Sequence, residues 1–233
     1  MRFQTPLVPA RLLRRYKRFL ADALLEGTGQ EVTAHCPNPG AMTGLAEPGQ
    51  RIWLEPVTGR KMAFGWRLTE LPGGHLAGID TGVPNRIVRD ALEAEAIPAL
   101  AGYGGLRAEV AYGNRSRVDF LLSGAGRPET YVEVKNVHLM RRPGLAEFPD
   151  CVTARGTRHL HDLAAVARAG GRAVMLYVVQ RTDCTAMRLA ADIDPAYSAA
   201  ATAAHAAGVE MIAHGTEIAV EGVRLATPLP AEI

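Results

Sequence analysis

Apolar and polar residues alternate in short runs through the first eighty positions, and glycine or proline separates the runs. This period-two pattern predicts strands. The predicted strands cover residues 8–13, 18–25, 32–36, 51–57 and 62–68. Several short strands with tight turns are typical of a small barrel or sandwich, and closing a barrel hides the sheet edges. We favour an OB-like β-barrel over residues 1–82.

The pattern changes after a glycine- and proline-rich crossing at residues 80–84. Apolar positions three and four apart predict helices at 86–96, 154–169 and 195–207, the first with Asn85 as its N-cap. Strands are predicted at 106–112, 117–122, 130–137, 173–179 and 209–213, with a β-like tail, a G-N-R-S hairpin turn at 113–116 and a loop at 143–153. The alternation of helices and strands predicts a second, α/β domain over residues 83–233.

Charged side chains interrupt two neighbouring predicted strands that are otherwise apolar. Asp119 lies in the first, and Glu133 and Lys135 lie two apart in the second. Because side chains alternate along a strand, Glu133 and Lys135 point the same way, and Asp119 joins them if it shares that face. Charges half-buried on a sheet are costly unless they are paired or bind metal. The pattern predicts a divalent-cation and phosphate site, with a structural ion pair as the alternative.

The composition is that of a soluble globular protein, with 48% hydrophobic and 21% charged residues in 233. No apolar run approaches membrane-spanning length, and the N-terminal region lacks the apolar core of a secretory signal. Cys36, Cys151 and Cys184 are far apart and form no C-x-x-C pair, which argues against a disulfide framework or structural zinc. We expect a cytoplasmic protein with no membrane partner, and a dimer is among the oligomeric states that remain open.

Basic residues cluster near the N-terminus although the net charge is only +2. Residues 11–18 hold five of the 10 bases in the first eighty positions. With the aromatic residue among them, they resemble a surface that tracks phosphates and stacks on a base. The predicted nucleic-acid contacts are Arg14, Arg15, Tyr16, Lys17 and Arg18, together with Asn38 at a proline-rich turn.

Each of these residues also has a purely structural interpretation. The basic segment fits a solvated face whose aromatic residues, Tyr16 and Phe19, lie in the core. Asn38 fits a residue that caps its own turn, which is the commoner role of asparagine at such positions.

Several longer sequence segments, or words, resemble those of a known family. They include R-Y-K-R-F-L-A-D, H-C-P-N-P-G-A-M-T-G, S-R-V-D-F-L-L, Y-V-E-V-K-N-V and F-P-D-C-V-T-A-R-G, in that order. With these words the chain resembles, over almost its whole length, the sugar fermentation stimulation protein A family (SfsA). An acid in the middle strand followed by E-x-K resembles the PD-(D/E)xK nuclease superfamily. The resemblance implies an N-terminal OB-like β-barrel followed by a PD-(D/E)xK restriction-endonuclease-like α/β domain that binds DNA or RNA.

The same resemblance implies roles for individual residues. Asp119, Glu133 and the carbonyl of Val134 would hold Mg²⁺ or Mn²⁺, Glu109 would add a ligand, and Lys135 would steady the attacking water or the phosphate. Asp119, Glu133 and Lys135 form the implied catalytic set. Further polar positions near it are Asp90, Arg155, His159 and Gln180. His138 and Cys151 depart from the family words beside the site and leave these ligands intact.

Three functions remain open from the sequence. The first is a metal-dependent phosphodiesterase that acts on DNA or RNA. The second is a non-catalytic DNA-binding regulator of sugar-utilisation genes of the maltose type that keeps a nuclease fold. The third is a metal-binding domain for a small phosphorylated substrate, which would not need a basic patch. The presence of all three of Asp119, Glu133 and Lys135 favours the enzyme.

Overall fold

The N-terminal part of the chain closes into a β-barrel. The structure, a computed structural model, describes residues 1–113, 116–124 and 126–233. The first six strands are β1 (Val8–Tyr16), β2 (Leu20–Leu25), β3 (Glu31–His35), β4 (Arg51–Pro56), β5 (Phe64–Glu70) and β6 (Leu76–Gly78). Their order is β3-β2-β1-β4-β5-β6, and a parallel pairing of β3 with β5 closes five of them into a ring. The predicted barrel is confirmed.

Alternate residues of these strands fill the barrel. Ile52 and Leu54 of β4 point inward with Trp66 and Leu68 of β5, and all four are fully buried. The Trp66 indole N–H donates to the carbonyl of Leu68, so its polar atom is paired inside the core. The period-two pattern read from these segments is therefore the pattern of burial.

The rest of the chain forms a mixed sheet with helices on both faces. Its helices are α1 (Val83–Glu93), α2 (Ala154–Arg168) and α3 (Pro195–Ala206). Its strands are β7 (Gly105–Tyr112), β8 (Ser116–Ser123), β9 (Thr130–Val137), β10 (Leu139–Arg142), β11 (Gly144–Phe148), β12 (Arg172–Val179), β13 (Cys184–Leu189), β14 (Glu210–Ala219), β15 (Gly222–Leu229) and β16 (Ala231–Glu232). The main sheet has the order β15-β14-β12-β9-β8-β7, and β10, β11, β13 and β16 form a smaller sheet. The predicted α/β architecture is confirmed.

Strand β12 lies at the centre of the main sheet and is buried on both faces, as its continuous apolar run predicts. Met175 and Tyr177 pack with α2 and α3 in one core, whereas Val174 and Leu176 pack with α1 in another. On the neighbouring strand β9, Val132 and Val134 belong to the core of α1. The residues between them therefore point toward α2.

Helix α1 begins earlier than predicted. It starts at Val83 with Gly82 as N-cap, so the prediction of Asn85 as N-cap is wrong. Pro84 lies in the first turn, where the missing N–H costs no hydrogen bond, and this is why the proline does not delay the helix. The predicted apolar stripe is confirmed, since Ile87, Val88 and their partners one turn on are buried.

The prediction of a loop at residues 143–153 is also wrong over its first half. Strands β10 and β11 form an antiparallel pair there, and β11 continues the small sheet through a parallel pairing with β13. These strands are short, and the partner of β11 in the small sheet, β13, is distant in sequence, so no local periodicity identifies them. The tip of the predicted G-N-R-S turn, residues 114 and 115, lies outside the described residues. No helix in the described ranges is long and apolar enough to cross a membrane.

The first three residues lie on the α/β domain rather than on the barrel. The Met1 ammonium donates to the carbonyl of Val223 over 3.0 Å, and the Phe3 N–H donates to Glu221 over 3.2 Å. Arg2 bridges to Gly222 between them. The chain thus contacts the β14–β15 hairpin, builds the barrel and returns to the α/β domain at α1.

A buried polar joint connects the two domains, and His138 lies at its centre. Asn136 Nδ2 donates to His138 Nδ1 over 3.0 Å, so the proton lies on Nε2, which donates to the carbonyl of Gly78 in the barrel. Asn38 of the barrel lies 3.5 Å from the same ring. The Gln180 Nε2 donates to Asn136 over 2.6 Å and to the carbonyl of Asp80. The hydrogen bond that Nδ1 accepts from Asn136 requires a neutral imidazole.

We predict that protonation of His138 destabilises the fold in mild acid. Burial lowers the pKa of His138 to about 4, below the value of about 6.5 for an unfolded chain. Because the folded-state pKa is depressed, the stabilisation is present above pH 6.5 and is lost as pH falls toward 4. A His138→Gln variant lacks this loss. Denaturant unfolding should be measured at several pH values. Between pH 6.5 and 4, the free energy of unfolding of wild type should fall relative to that of the variant by about 1.4 kcal/mol for each pH unit.

A His161→Gln variant, changed at an exposed position of α2, controls for the removal of a histidine. Parallel stability curves of wild type and His138→Gln between pH 4 and 6.5 would contradict a neutral, buried His138.

Candidate functional site

A buried carboxylate, that of Glu133, lies at the centre of the candidate site. Glu133 is 3% exposed, on the face of β9 that points toward α2. Lys135, two residues along the same strand, donates to its Oε1 over 2.6 Å. His159 of α2 contacts the same oxygen through Nδ1. The other oxygen, Oε2, is buried and has no hydrogen-bond partner among the described residues.

Asp119 lies where strands β8 and β9 separate. Their ladder ends at the pair of Phe120 with Val132, one residue short of Asp119. The carboxylate of Asp119 fills the opening. Its Oδ2 accepts from the backbone N–H of Val134 over 2.7 Å, and its Oδ1 accepts from the Asn85 side chain over 2.6 Å. Asp119 therefore contacts α1 and the β9 backbone, whereas Glu133 contacts α2.

The two carboxylates titrate differently because their partners differ. Burial raises the pKa of Asp119 to about 6, and the negative charge of Glu133 adds to the increase. Burial would also raise the pKa of Glu133, but the hydrogen bond from His159 and the charge of Lys135 outweigh it, so the pKa lies below its usual value. The arrangement thus keeps Glu133 ionised and makes Asp119 easier to protonate.

These residues fit a hard divalent cation. Glu133 Oε2 is a buried anionic oxygen without a donor, and burial without a partner is costly for such an atom. Within the described part of the chain, no three carboxylate, imidazole or thiolate side chains are grouped to hold a metal. A cation here would rely on two carboxylates, a backbone carbonyl such as that of Val134, and water. Mg²⁺ is commonly held in this way.

Two predicted additional ligands, Glu109 and Asp90, lie together with Asp119 around a depression of about 430 Å³ beside α1. Glu109 has a positive φ of 53°, which distorts β7 opposite Asp119, and its carbonyl accepts from Arg117 over 3.0 Å. Asp90 pairs with the Met1 ammonium over 3.0 Å. The structure therefore gathers Glu109 and Asp90 around Asp119, on the side of α1.

The other predicted accessory residues separate into two groups. His159 is buried against Glu133, and Arg155 Nε lies 3.4 Å from its ring. Gln180 is fully buried in the joint between the domains, where it contacts Asn136, the residue after Lys135. His159 and Arg155 thus belong to the carboxylate site, and Gln180 belongs to the joint.

Two polar residues near the carboxylates had no functional role in the sequence interpretation. Asn85 holds Asp119, and its place one turn inside α1 becomes apparent only once the helix is known to begin at Val83. The Tyr112 hydroxyl is buried without a hydrogen-bond partner among the described residues, and burial, followed by the charge of Glu133, raises its pKa. The sequence indicated Asn85 only as a helix cap, and a tyrosine at a strand end carries no functional signal.

The predicted nucleic-acid residues of β1 form hydrogen bonds within the protein, although the Arg14 side chain stays 70% exposed. Arg14 pairs with Asp22 over 2.8 Å, and the Tyr16 hydroxyl donates to the same carboxylate over 3.1 Å. Arg15 donates to the carbonyls of Asn38 and Gly40 over 2.8 and 3.0 Å. These bonds fix the β1–β2 hairpin and the following turn in place.

The turn between β1 and β2 presents the remaining cations. Lys17 and Arg18 are exposed and have positive φ values of 49° and 62°. Left-handed backbone is unfavourable for residues with a Cβ, by roughly 1 kcal/mol each. Asn38, by contrast, is buried, and its Oδ1 accepts from the Gly40 N–H over 2.8 Å, which is the turn-capping alternative.

Comparison with known families matches both halves of the chain. Residues 13–79 match the model of the SfsA N-terminal OB domain. Residues 82–222 match the model of the sugar fermentation stimulation protein RE domain. The matches agree with the closed barrel and the α/β domain described above.

Comparisons over the whole chain give the same result. A sugar fermentation stimulation protein homolog of Dinoroseobacter shibae is 63% identical over 234 residues, covering 100% of this chain and 96% of that protein. The homolog of Rhodospirillum centenum is 54% identical over 225 residues, covering 96% of each. A solved structure, SfsA of Pyrococcus furiosus in complex with Ca²⁺, superposes with a TM-score of 0.89 at 28% identity and covers 100% of this chain and 98% of that one.

We predict that Mn²⁺ stabilises the protein through Glu133. At a free Mn²⁺ concentration about 100 times the Kd, binding to the folded state should add about 2.7 kcal/mol and raise Tm by about 5–10 °C relative to chelator. Glu133→Gln should remove most of this increase because the amide carries no charge. Differential scanning calorimetry with Mn²⁺ and with EDTA measures both.

The matched control is Glu93→Gln, which changes an exposed carboxylate at the end of α1. The variants must unfold cooperatively in EDTA for the comparison to apply. An equal rise in Tm with Mn²⁺ in wild type and in Glu133→Gln would show that Glu133 does not bind the metal.

Proposed function

The chain belongs to the sugar fermentation stimulation protein (SfsA) family, and from that premise we propose that it is a nucleic-acid-binding nuclease. In this proposal residues 83–233 hydrolyse phosphodiester bonds with Mg²⁺ or Mn²⁺, and residues 1–82 supply affinity for DNA or RNA. The observation that carries the proposal is the buried Glu133 Oε2, which has no donor among the described residues. The charge of the same carboxylate adds to the raised pKa of Asp119.

The cation would be held by Glu133, Asp119 and the Val134 carbonyl. When bound, such an ion neutralises charge on the phosphate and lowers the pKa of a coordinated water. His159 orients the Glu133 carboxylate, as the outer partners of metal ligands commonly do. Asn85 and the Val134 N–H hold Asp119 in the same way. The Ca²⁺ in the structure of the Pyrococcus furiosus relative supports a divalent ion in this chain.

Lys135 would act on the phosphate or on the attacking water. Its ammonium has three donors, and in the structure one of them contacts Glu133 Oε1. A bound cation would share the charge of Glu133, and the remaining donors of Lys135 would then contact a phosphate oxygen or orient a water. Lysine suits this role because it is a compact point charge on a flexible stem.

The alternative function is a non-catalytic DNA-binding regulator of sugar-utilisation genes. One observation favours it: Lys135 and His159 already pair with Glu133, so the site is partly compensated without any cation. The relatives named for sugar fermentation stimulation support the same alternative. Cleavage separates the two functions, because only the enzyme turns over.

We predict that the purified protein cleaves single-stranded or duplex DNA or RNA with Mg²⁺ or Mn²⁺, and that EDTA stops the reaction. Asp119→Asn, Glu133→Gln and Lys135→Met should each lower the rate about 100-fold or more, because each removes a charge that acts on the transition state. Gel-based cleavage assays measure the rate, and binding in EDTA checks that the variants keep their affinity.

Glu93→Gln again serves as the matched control and should cleave as wild type does. Wild-type protein that binds nucleic acid but cleaves none with either metal would exclude the enzyme and leave the regulator.

We also predict that the β1–β2 turn carries part of the affinity. A Lys17→Asn, Arg18→Gly double variant replaces two cations with residues that tolerate the left-handed backbone. The slope of log affinity against log salt should fall by about 1.4–1.8, because two phosphate contacts are lost. Its Tm should rise. Fluorescence anisotropy over a salt series measures the slope.

An Arg224→Gln variant, which changes an exposed arginine of β15, controls for the removal of a positive charge. If the double variant keeps the wild-type slope of log affinity against log salt, the turn does not contact the nucleic acid.

A further inference from the structure

Phe19 is the exposed aromatic residue of the barrel. Its side chain is 46% exposed, whereas the other four phenylalanines, all within the described residues, are buried or half-buried. The alternative that Phe19 lies in the core is therefore excluded. An exposed phenylalanine forgoes the apolar burial that a core position would supply.

The ring of Phe19 is held beside a second exposed ring. The Phe19 and His35 rings are nearly parallel, with an interplanar angle of 18° and centroids 6.4 Å apart. The pairing of Leu20 with His35 and the hydrogen bond from the Cys36 N–H to the Phe19 carbonyl, 2.8 Å, fix both residues at the end of the hairpin. The two rings form a rigid aromatic surface, which we call the Phe19–His35 platform.

Positive charge lies directly beside the platform. Lys17 and Arg18 precede Phe19 in the same turn, and the Arg18 carbonyl accepts from Arg15 over 3.1 Å. The chain keeps two left-handed residues with large side chains here, where glycine or asparagine would be less strained. Strained backbone that presents exposed cations next to an exposed ring fits a ligand with anionic groups and flat apolar faces.

The platform lies near the cleft between the two domains. Arg15 ties the turn to Asn38 and Gly40, which line a cleft of about 380 Å³ together with Asn136 of β9. Cys151 of the α/β domain lines the same cleft. A polymer stacked on Phe19 would therefore lie at the rim of a cleft whose wall includes the residue after Lys135.

We propose that the Phe19–His35 platform stacks on a base of single-stranded nucleic acid while Lys17 and Arg18 contact the adjoining phosphates. The proposal rests on the proposed function for the class of ligand, and adds the site and the preference for an unpaired strand. Stacking on an aromatic ring requires an accessible base face, which a single strand offers and an intact duplex hides. A protein partner for Phe19 is the competing occupant.

The test compares oligo(dT), an abasic strand of the same length and a duplex, each fluorescein-labelled, on the full chain in EDTA. Phe19→Ala should weaken oligo(dT) binding about fivefold to 100-fold, the range of one stacked base. Binding of the abasic strand should stay unchanged. Phe19→Leu, which keeps apolar bulk without a π face, should behave as Phe19→Ala, and Phe19→Tyr should restore affinity.

A Phe19→Trp variant gives a direct signal. Its exposed indole should be quenched by oligo(dT) and not by the abasic strand. Leu24→Ala is the matched control, since Leu24 is 38% exposed on β2 and pairs with Arg11, near the far end of the hairpin from the turn. This variant should bind oligo(dT) as wild type does.

Three outcomes would overturn the platform: wild-type affinity of Phe19→Ala for oligo(dT), wild-type affinity of Phe19→Leu, or equal losses on the oligo(dT) and abasic strands. If Phe19 variants bind as wild type while Asp119→Asn still abolishes cleavage, the platform is wrong and the nuclease stands. If the wild-type chain neither binds nor cleaves any nucleic acid, the proposed function fails and the platform falls with it.

Discussion

The burial of the Glu133 carboxylate is the constraint on which the α/β domain is built. An ionised carboxylate at 3% exposure is stable only when other groups compensate its charge. Lys135 does so from the same strand, and His159 does so from α2. The position of α2 is fixed in turn by Asp194, which accepts from the Thr153 N–H over 2.7 Å and from the Tyr197 N–H at the start of α3 over 2.9 Å. The starts of both helices are thereby tied to one another, and α2 carries the histidine that orients the carboxylate.

A second polar cluster joins the domains, and it is built differently. Around His138 the side chains are neutral amides and an imidazole, and the buried Arg181 guanidinium, which is paired with Asp183, donates to the His138 carbonyl over 3.0 Å. Buried polar networks rigidify their surroundings where their members are hydrogen-bonded. Gln180 Oε1 has no partner among the described residues. The joint begins at Asn136, one residue after Lys135. Strand β9 thus contributes an ionic cluster to the α/β domain and a neutral amide to the contact with the barrel.

Much of the fold was predictable from local pattern, and the exceptions have physical causes. An alternating apolar pattern identified β4 and β5, a β-branched apolar run beside a Gly/Pro loop identified β9, and continuous apolar sequence identified β12. Strands β10, β11 and β13 were missed because they are short, and because β11 and β13 pair across a long separation in sequence. At the site, alternation predicted that Glu133 and Lys135 share a face. It did not predict that Asp119 would reach α1 through Asn85, since this depends on where β8 and β9 separate. The sequence also shows how many cations β1 carries, but it does not show which of them form ion pairs or hydrogen bonds within the protein.

The contact of residues 1–3 with the β14–β15 hairpin has a mechanical consequence. The barrel is anchored to the α/β domain at both of its ends, by this clasp on one side and by the start of α1 at Val83 on the other. With two attachments, the barrel can rotate relative to the α/β domain only about the line that joins them. The His138 joint opposes that rotation too. The spacing between the exposed ring of Phe19 and the carboxylate of Glu133 is then a fixed dimension of the molecule. In the proposed function, a strand stacked on Phe19 would therefore present its backbone to the carboxylates at a constant separation from the stacked base.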